Sequence, residues 1–249
     1  MTDPICSSGS GERELPLPAS LIAELKLGGP ISTEGRRALL ELALSEPGWD
    51  LVSRSSAELA AGRRLLKGIK PGVWVCGSAR TKPGTQEYER TVELGAALAD
   101  VDLPVFTGGG PGAMEAANKG AYENGGVSVG VGIILPNEQG FSEYLTVKYL
   151  CEYFFTRKVL LTEHTGPLVV VPGGNGSLDE MYEVLTLVQT GKIPPRPIVL
   201  VDREFWGPLD AFSRGTLLTS GKISPGDPDL IQVVDTVGEV VDSCRSATS

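Results

Sequence analysis

Leu168-Val169-Val170-Val171-Pro172-Gly173-Gly174-Asn175-Gly176-Ser177-Leu178-Asp179-Glu180 is the stretch whose reading decides the fold. Its four leading apolar residues, three of them β-branched, read as a strand buried on both faces. Pro172 and the glycines end that strand, and a helical pattern over residues 178–190 follows at once.

The same texture continues in both directions. Short apolar runs occur at Val73-Trp74-Val75-Cys76, Val105-Phe106, residues 127–134, Tyr149-Leu150-Cys151, Ile198-Val199-Leu200-Val201 and Ile231-Gln232-Val233-Val234. Helical patterns over 86–99 and 113–124 separate some of them. Continuous apolar strands alternating with helices predict an α/β fold: a Rossmann-like, doubly wound parallel sheet with helices on both faces. Residues 1–18, rich in Ser, Gly and Pro, read as a flexible tail. Residues 19–70 read as a helical extension, with amphipathic stretches at 33–43 and 56–66. The nucleotide-binding domain is then expected over residues 71–249.

Bulk composition removes several function classes. With 22 Lys and Arg against 31 Asp and Glu, the net charge is -9, the wrong sign for a nucleic-acid groove. No apolar run is long enough to span a membrane. Residues 1–11 lack the basic start and apolar core of a signal peptide, so a cytoplasmic location is the expectation. The four cysteines (Cys6, Cys76, Cys151, Cys244) are scattered without a Cys-x-x-Cys pair, and His164 is the single histidine. Neither a metal site nor a cofactor is expected from such a set.

In doubly wound sheets the ligand lies beyond the carboxyl ends of the strands, which directs attention to the loops after the apolar runs. Thr107-Gly108-Gly109-Gly110-Pro111-Gly112-Ala113-Met114-Glu115 is one such loop. Its glycines permit close approach of a ligand to bare backbone, or simply a tight strand-to-helix turn. Gly108, Gly110 and Ala113 fit a loose dinucleotide fingerprint, but the run before Pro136 does not end in the acidic residue that NAD recognition needs. The loop Pro172–Ser177 lacks Gly-Lys-Ser/Thr and so is no Walker A loop. It offers a cradle of N–H groups at a positive helix end, sized for one phosphate, with the Ser177 hydroxyl beside it. Glu180 has two readings. Ser177-Leu178-Asp179-Glu180 fits a capping box, with Asp179 in the first turn. Alternatively a phosphate occupies the cap, and Glu180 points at the attached sugar.

Taken together, these loops resemble the Lonely Guy (LOG) family, which includes many proteins once labelled lysine decarboxylase. The family hallmark Pro-Gly-Gly-x-Gly-Thr-x-x-Glu is matched by residues 172–180, with Ser177 in place of Thr. An Arg-Lys pair is matched in Phe154-Phe155-Thr156-Arg157-Lys158. Gly77-Ser78-Ala79-Arg80, Leu135-Pro136-Asn137-Glu138-Gln139 and residues 185–192 are further similar blocks.

The resemblance implies a phosphoribohydrolase that cleaves nucleoside 5'-monophosphates, AMP or cytokinin nucleotides, to free base and ribose 5-phosphate. It makes Arg157 and Glu180 the catalytic pair. It places Ser78, Gly108, Gly109, Gly110, Met114, Glu138, Lys158, Gly173, Gly174, Asn175, Gly176, Ser177 and Thr186 around the substrate. It also implies a homodimer or higher homo-oligomer. The chemistry agrees, since a carboxylate beside the ribose stabilises the positive charge that builds as the N-glycosidic bond breaks. A non-catalytic carrier of a phosphorylated ligand, like the molybdenum-cofactor carriers, is the competing expectation. Pyridoxal-dependent decarboxylation is disfavoured, because no lysine sits in a convincing Schiff-base position.

Overall fold

The computed structural model describes residues 32–35, 37–38, 50–135 and 140–246. The chain divides into two units, Met1–Ala57 and Glu58–Ser249. In the first, residues 33–35 and 37–38 are helical, and the Ser32 hydroxyl accepts the Gly35 N–H at 3.0 Å. The tail expected over 1–18, most of the helix expected over 33–43, and Glu138 lie outside the described residues.

Helix α1 (Asp50–Leu66) leads into β1 (Gly72–Cys76), α2 (Gln86–Asp100), β2 (Val105–Thr107), α3 (Ala113–Glu123), β3 (Ser128–Ile133) and β4 (Val147–Cys151). Then come α4 (Phe154–His164), β5 (Thr165–Val170), α5 (Asn175–Gln189), β6 (Ile198–Val201), α6 (Arg203–Phe212), β7 (Ile231–Val234) and α7 (Val237–Ser246). All seven strands expected from the apolar runs form one sheet, in the order β4-β3-β2-β1-β5-β6-β7, and every pairing is parallel. The fold is therefore the α/β, Rossmann-like doubly wound sheet.

Strand side chains alternate between two apolar cores, as a period of two requires. In β1, Val73 and Val75 join Val169, Val199 and Val201 against Leu94 and Leu98 of α2, Ala117 of α3 and Val240 of α7. Trp74 and Cys76 face the other way, with Leu168, Val170, Ile198 and Leu200, against Leu160 of α4, Met181 and Val184 of α5 and Trp206 of α6. The central strands are buried on both faces, which is why they read as apolar runs, whereas the edge strands β4 and β7 expose Lys148, Leu150 and Gln232. Among the described residues, no helix is long and apolar enough to cross a membrane.

One boundary differs from expectation in a way that matters. Helix α5 begins at Asn175, with Gly174 as its N-cap, and not at residue 178. Its buried stripe is Ser177, Glu180, Met181, Val184 and Val188. The first two members are polar, so apolar periodicity alone starts the helix a turn late.

Candidate active site

From β1 the chain proceeds to one side of the sheet through β2, β3 and β4, and from β5 to the other through β6 and β7. The β1–β5 boundary is the switch point, and the connecting loops part there to leave a crevice. Ser78 holds its margins together. Its N–H donates to Pro172 O at 3.0 Å, and its carbonyl accepts the Ala113 N–H at 2.9 Å. Its hydroxyl accepts the Arg80 N–H at 3.1 Å.

The cleft measures about 580 Å³. Of the residues expected at the site, Ser78, Gly108, Gly110, Met114, Arg157, Gly174, Asn175, Gly176, Ser177 and Glu180 line it. Gly109 and Gly173 stand just behind the lining. An added Cβ at Gly109 would meet the Phe141 ring, and one at Gly173 would overlap the Ser177 hydroxyl. Lys158 and Thr186 line a separate groove along the outer side of α5, where Lys158 pairs with Asp179 at 3.2 Å and with Glu183. Arg80, Ile133, Leu135 and Phe154 also line the cleft and were not among the expected site residues. Arg80 and Phe154 lay within the quoted family-like blocks. Leu135 likewise opens the family-like stretch Leu135–Gln139, whereas Ile133 lies in an apolar run and carried no chemical signal.

At the floor, Arg157 and Glu180 form an ion pair of 2.7 Å, with both side chains only 9% exposed. Arg157 Nε donates to Val131 O at 2.9 Å, which fixes the plane of the guanidinium. Gly108 makes room for it, because an added Cβ would lie 2.5 Å from Arg157 Nη2 and 2.7 Å from Met114 Sδ. Glu180 is therefore not a capping residue. Lying in the second turn of α5, it turns inward to Arg157. Asp179, expected in the first turn, also lies beyond it and faces Lys158. Burial holds the Glu180 carboxyl above its ordinary value, and the attraction of Arg157 offsets only part of that rise. The Cys76 thiol, at the end of β1 beside Glu180, is pushed well up by its own burial.

The opening turn of α5 carries no acidic residue and no side-chain cap, so its N–H groups face the cleft with their positive end uncompensated. An anion fits there, beside Ser177 and within reach of a buried cation–carboxylate pair. A larger cleft of about 640 Å³ lies toward β6 and β7, lined by Thr85, Arg90, Asp202, Phe205 and Asp235 among others. Its polar groups bond to one another. Asp202 caps α6 through the Phe205 N–H, and Asp235 accepts from Arg203. Thr85 caps α2. The smaller cleft is the one that offers free N–H groups.

A second feature unanticipated from sequence braces the first glycine loop. Asn118, fully buried on α3, accepts the Thr107 hydroxyl and donates to Ser128 Oγ at 2.8 Å. Thr107 Oγ1 in turn accepts the Gly109 N–H at 2.8 Å.

Fold and site together define a doubly wound α/β protein with an anion cradle at its switch point and a buried Arg–Glu pair beneath it. A sequence model described as "Possible lysine decarboxylase" matches residues 114–244. The chain belongs to that family, the LOG family. It is 32% identical over 164 residues to a Mycobacterium tuberculosis protein named cytokinin riboside 5'-monophosphate phosphoribohydrolase, covering 63% of this chain and 84% of that one. A Mycobacterium marinum protein of the same name is 28% identical, with 72% and 97% covered. Among solved structures, a molybdenum-cofactor carrier protein from Chlamydomonas reinhardtii superposes with a TM-score of 0.51 at 26% identity, covering 72% of this chain and 98% of that one. A molybdenum-cofactor binding protein from Rippkaea orientalis, at 18% identity and TM-score 0.54, covers 72% and 98% and shares the fold.

Proposed function

We propose that this chain is a nucleoside 5'-monophosphate phosphoribohydrolase, hydrolysing the N-glycosidic bond of AMP or a cytokinin nucleotide to free base and ribose 5-phosphate. The observation that carries the proposal is the buried Arg157–Glu180 pair directly below the α5 N-terminus. In this reading the 5'-phosphate sits on the N–H groups of Asn175, Gly176 and Ser177, which places the ribose over Glu180. As the C1'–N bond breaks, its electron pair leaves with the base and positive charge spreads over the ribose ring. The Glu180 carboxylate stabilises that charge and takes a proton from the attacking water, whose oxygen bonds to C1'. That proton then passes from Glu180 to the departing base, which restores the carboxylate. Arg157 steadies the carboxylate and the phosphate side of the cleft. Phosphate binding away from the breaking bond supplies positioning.

The same reading has the chain act as a homo-oligomer in the cytoplasm. Lys158 and Thr186, outside this cleft, would then serve a neighbouring copy's substrate. Light scattering on the active protein tests this, and a fully active monomer would contradict it.

A carrier role is the second reading, favoured by the superposition on the Chlamydomonas reinhardtii carrier. The buried carboxylate favours catalysis, since a carrier needs the cradle and not Glu180. Decarboxylation of lysine finds no support in the cleft, whose lining among the described residues includes no lysine for a Schiff base. The deciding experiment incubates the protein with AMP, GMP, CMP and isopentenyl-AMP and assays free base and ribose 5-phosphate. Turnover of at least one adenine nucleotide is expected. Tight binding without turnover would establish the carrier instead.

A further inference from the structure

Arg157 lies in the first turn of α4, so its aim depends on how that turn is held. The N-cap residue Tyr153 makes no side-chain capping bond, and the first turn has no acidic residue of its own. The missing acceptor comes from α1. Glu58 Oε1 accepts the Glu152 N–H at 2.8 Å and the Thr156 hydroxyl at 2.9 Å. Thr156 is fully buried and immediately precedes Arg157. The Glu58 carbonyl also accepts the Tyr149 hydroxyl at 2.6 Å, tying the same turn of α1 to β4. Glu58 thus bridges the residue before the N-cap to the third residue of the helix, and its carboxylate meets the positive end of the dipole.

We propose that Glu58 is a positioning residue, its carboxylate fixing the first turn of α4 so that Arg157 meets Glu180 and the substrate. Arg157 is anchored at its guanidinium by Val131 O and at its backbone by the turn that Glu58 bridges from Glu152 to Thr156. The helix preceding the sheet thus takes part in building the cleft without touching it. The inference rests on the phosphoribohydrolase reading.

The test compares full-length wild type, Glu58→Ala, Glu58→Gln and Thr156→Val, reading kcat and KM with the nucleotide that wild type turns over, and amide hydrogen exchange. Misplacing a catalytic group lowers turnover more than binding, so Glu58→Ala should lower kcat about tenfold or more, with KM changed less than about threefold. Glu58→Gln keeps an acceptor oxygen and should recover most of that loss. Exchange at the amides of residues 152–157 should quicken in Glu58→Ala, while those of β5 stay protected. A folded Glu58→Ala with wild-type kcat overturns the positioning role alone. A wild type that releases no base overturns the reaction reading, and this role with it. If Glu58→Ala does not fold, Thr156→Val carries the same test: a fall in kcat is expected, and unchanged kcat overturns the proposal.

Discussion

Arg157 Nη2 lies 2.7 Å from Glu180 Oε1, and this contact joins the first turn of α4 to the second turn of α5 at the floor of the cleft. Both side chains are nearly out of water, so each depends on the other for the charge it carries.

Glu180→Gln keeps the size of the side chain and removes its basicity. Base release should fall by about 10²–10⁴-fold, the range for losing a positioned acid–base group. Nucleotide binding, measured by calorimetry, should persist. A variant with wild-type turnover would remove Glu180 from the chemistry.

Removing one member of a buried pair leaves the other charge stranded. Arg157→Ala should cost about 3–5 kcal/mol of stability in urea unfolding, while a double Arg157→Met, Glu180→Leu variant should recover much of it yet remain inactive. A single variant as stable as wild type would mean that the pair is solvated in solution.

The pH dependence has a fixed sign. Burial raises the Glu180 carboxyl above the ordinary 4.5, so the proton needed off for catalysis leaves at a higher pH. The acid limb of kcat/KM should therefore fall above pH 4.5. Because the folded value is the raised one, this group's stabilising contribution is present below the ordinary value and lost as pH rises through the raised one. Wild type should accordingly lose stability relative to Glu180→Gln across that window. An acid limb at or below the ordinary value would contradict the assignment.

Gly108→Ala places a methyl 2.5 Å from Arg157 Nη2 and 2.7 Å from Met114 Sδ. Displacing the guanidinium should cost about tenfold or more in kcat/KM. Gly166→Ala, whose added Cβ meets nothing within 4 Å, is the control. Equal activities of the two would show that Arg157 has room to move.

Asn118→Leu should destabilise the protein by about 1–3 kcal/mol, since the buried Thr107 hydroxyl loses its acceptor. Denaturant midpoints measure this. No loss would mean that water replaces the amide.

The central strands were legible because both of their faces are buried, as in Val73–Cys76 and Ile198–Val201, while the edge strands β4 and β7, which expose Lys148 and Gln232, showed only as shorter apolar runs. The turn into α5 was legible for a different reason: Pro172 and the glycines after it end one element and open the next. Helix α4 was not named from periodicity, although it carries Arg157. Its buried face includes Thr156, Arg157 and Thr162 alongside Leu160 and Leu161, so polar residues interrupt the apolar stripe. Lys158 was expected around the same substrate as Arg157, yet it lines a separate groove. Adjacent residues on a helix point about a quarter-turn apart, and only packing decides which enters the cleft.

By itself, the sequence determined a parallel doubly wound sheet and a glycine loop between a strand and a helix at residues 172–177, because burial and glycine placement are local chemical facts. It left Glu180 divided between a helix cap and the sugar. Tertiary structure removed the cap from that choice by starting α5 at Asn175, which carries Glu180 out of capping position and onto Arg157. It also brought Glu58 to the turn preceding Arg157. Both are contacts between residues far apart in the chain, and no local pattern encodes the distance across which two side chains will meet.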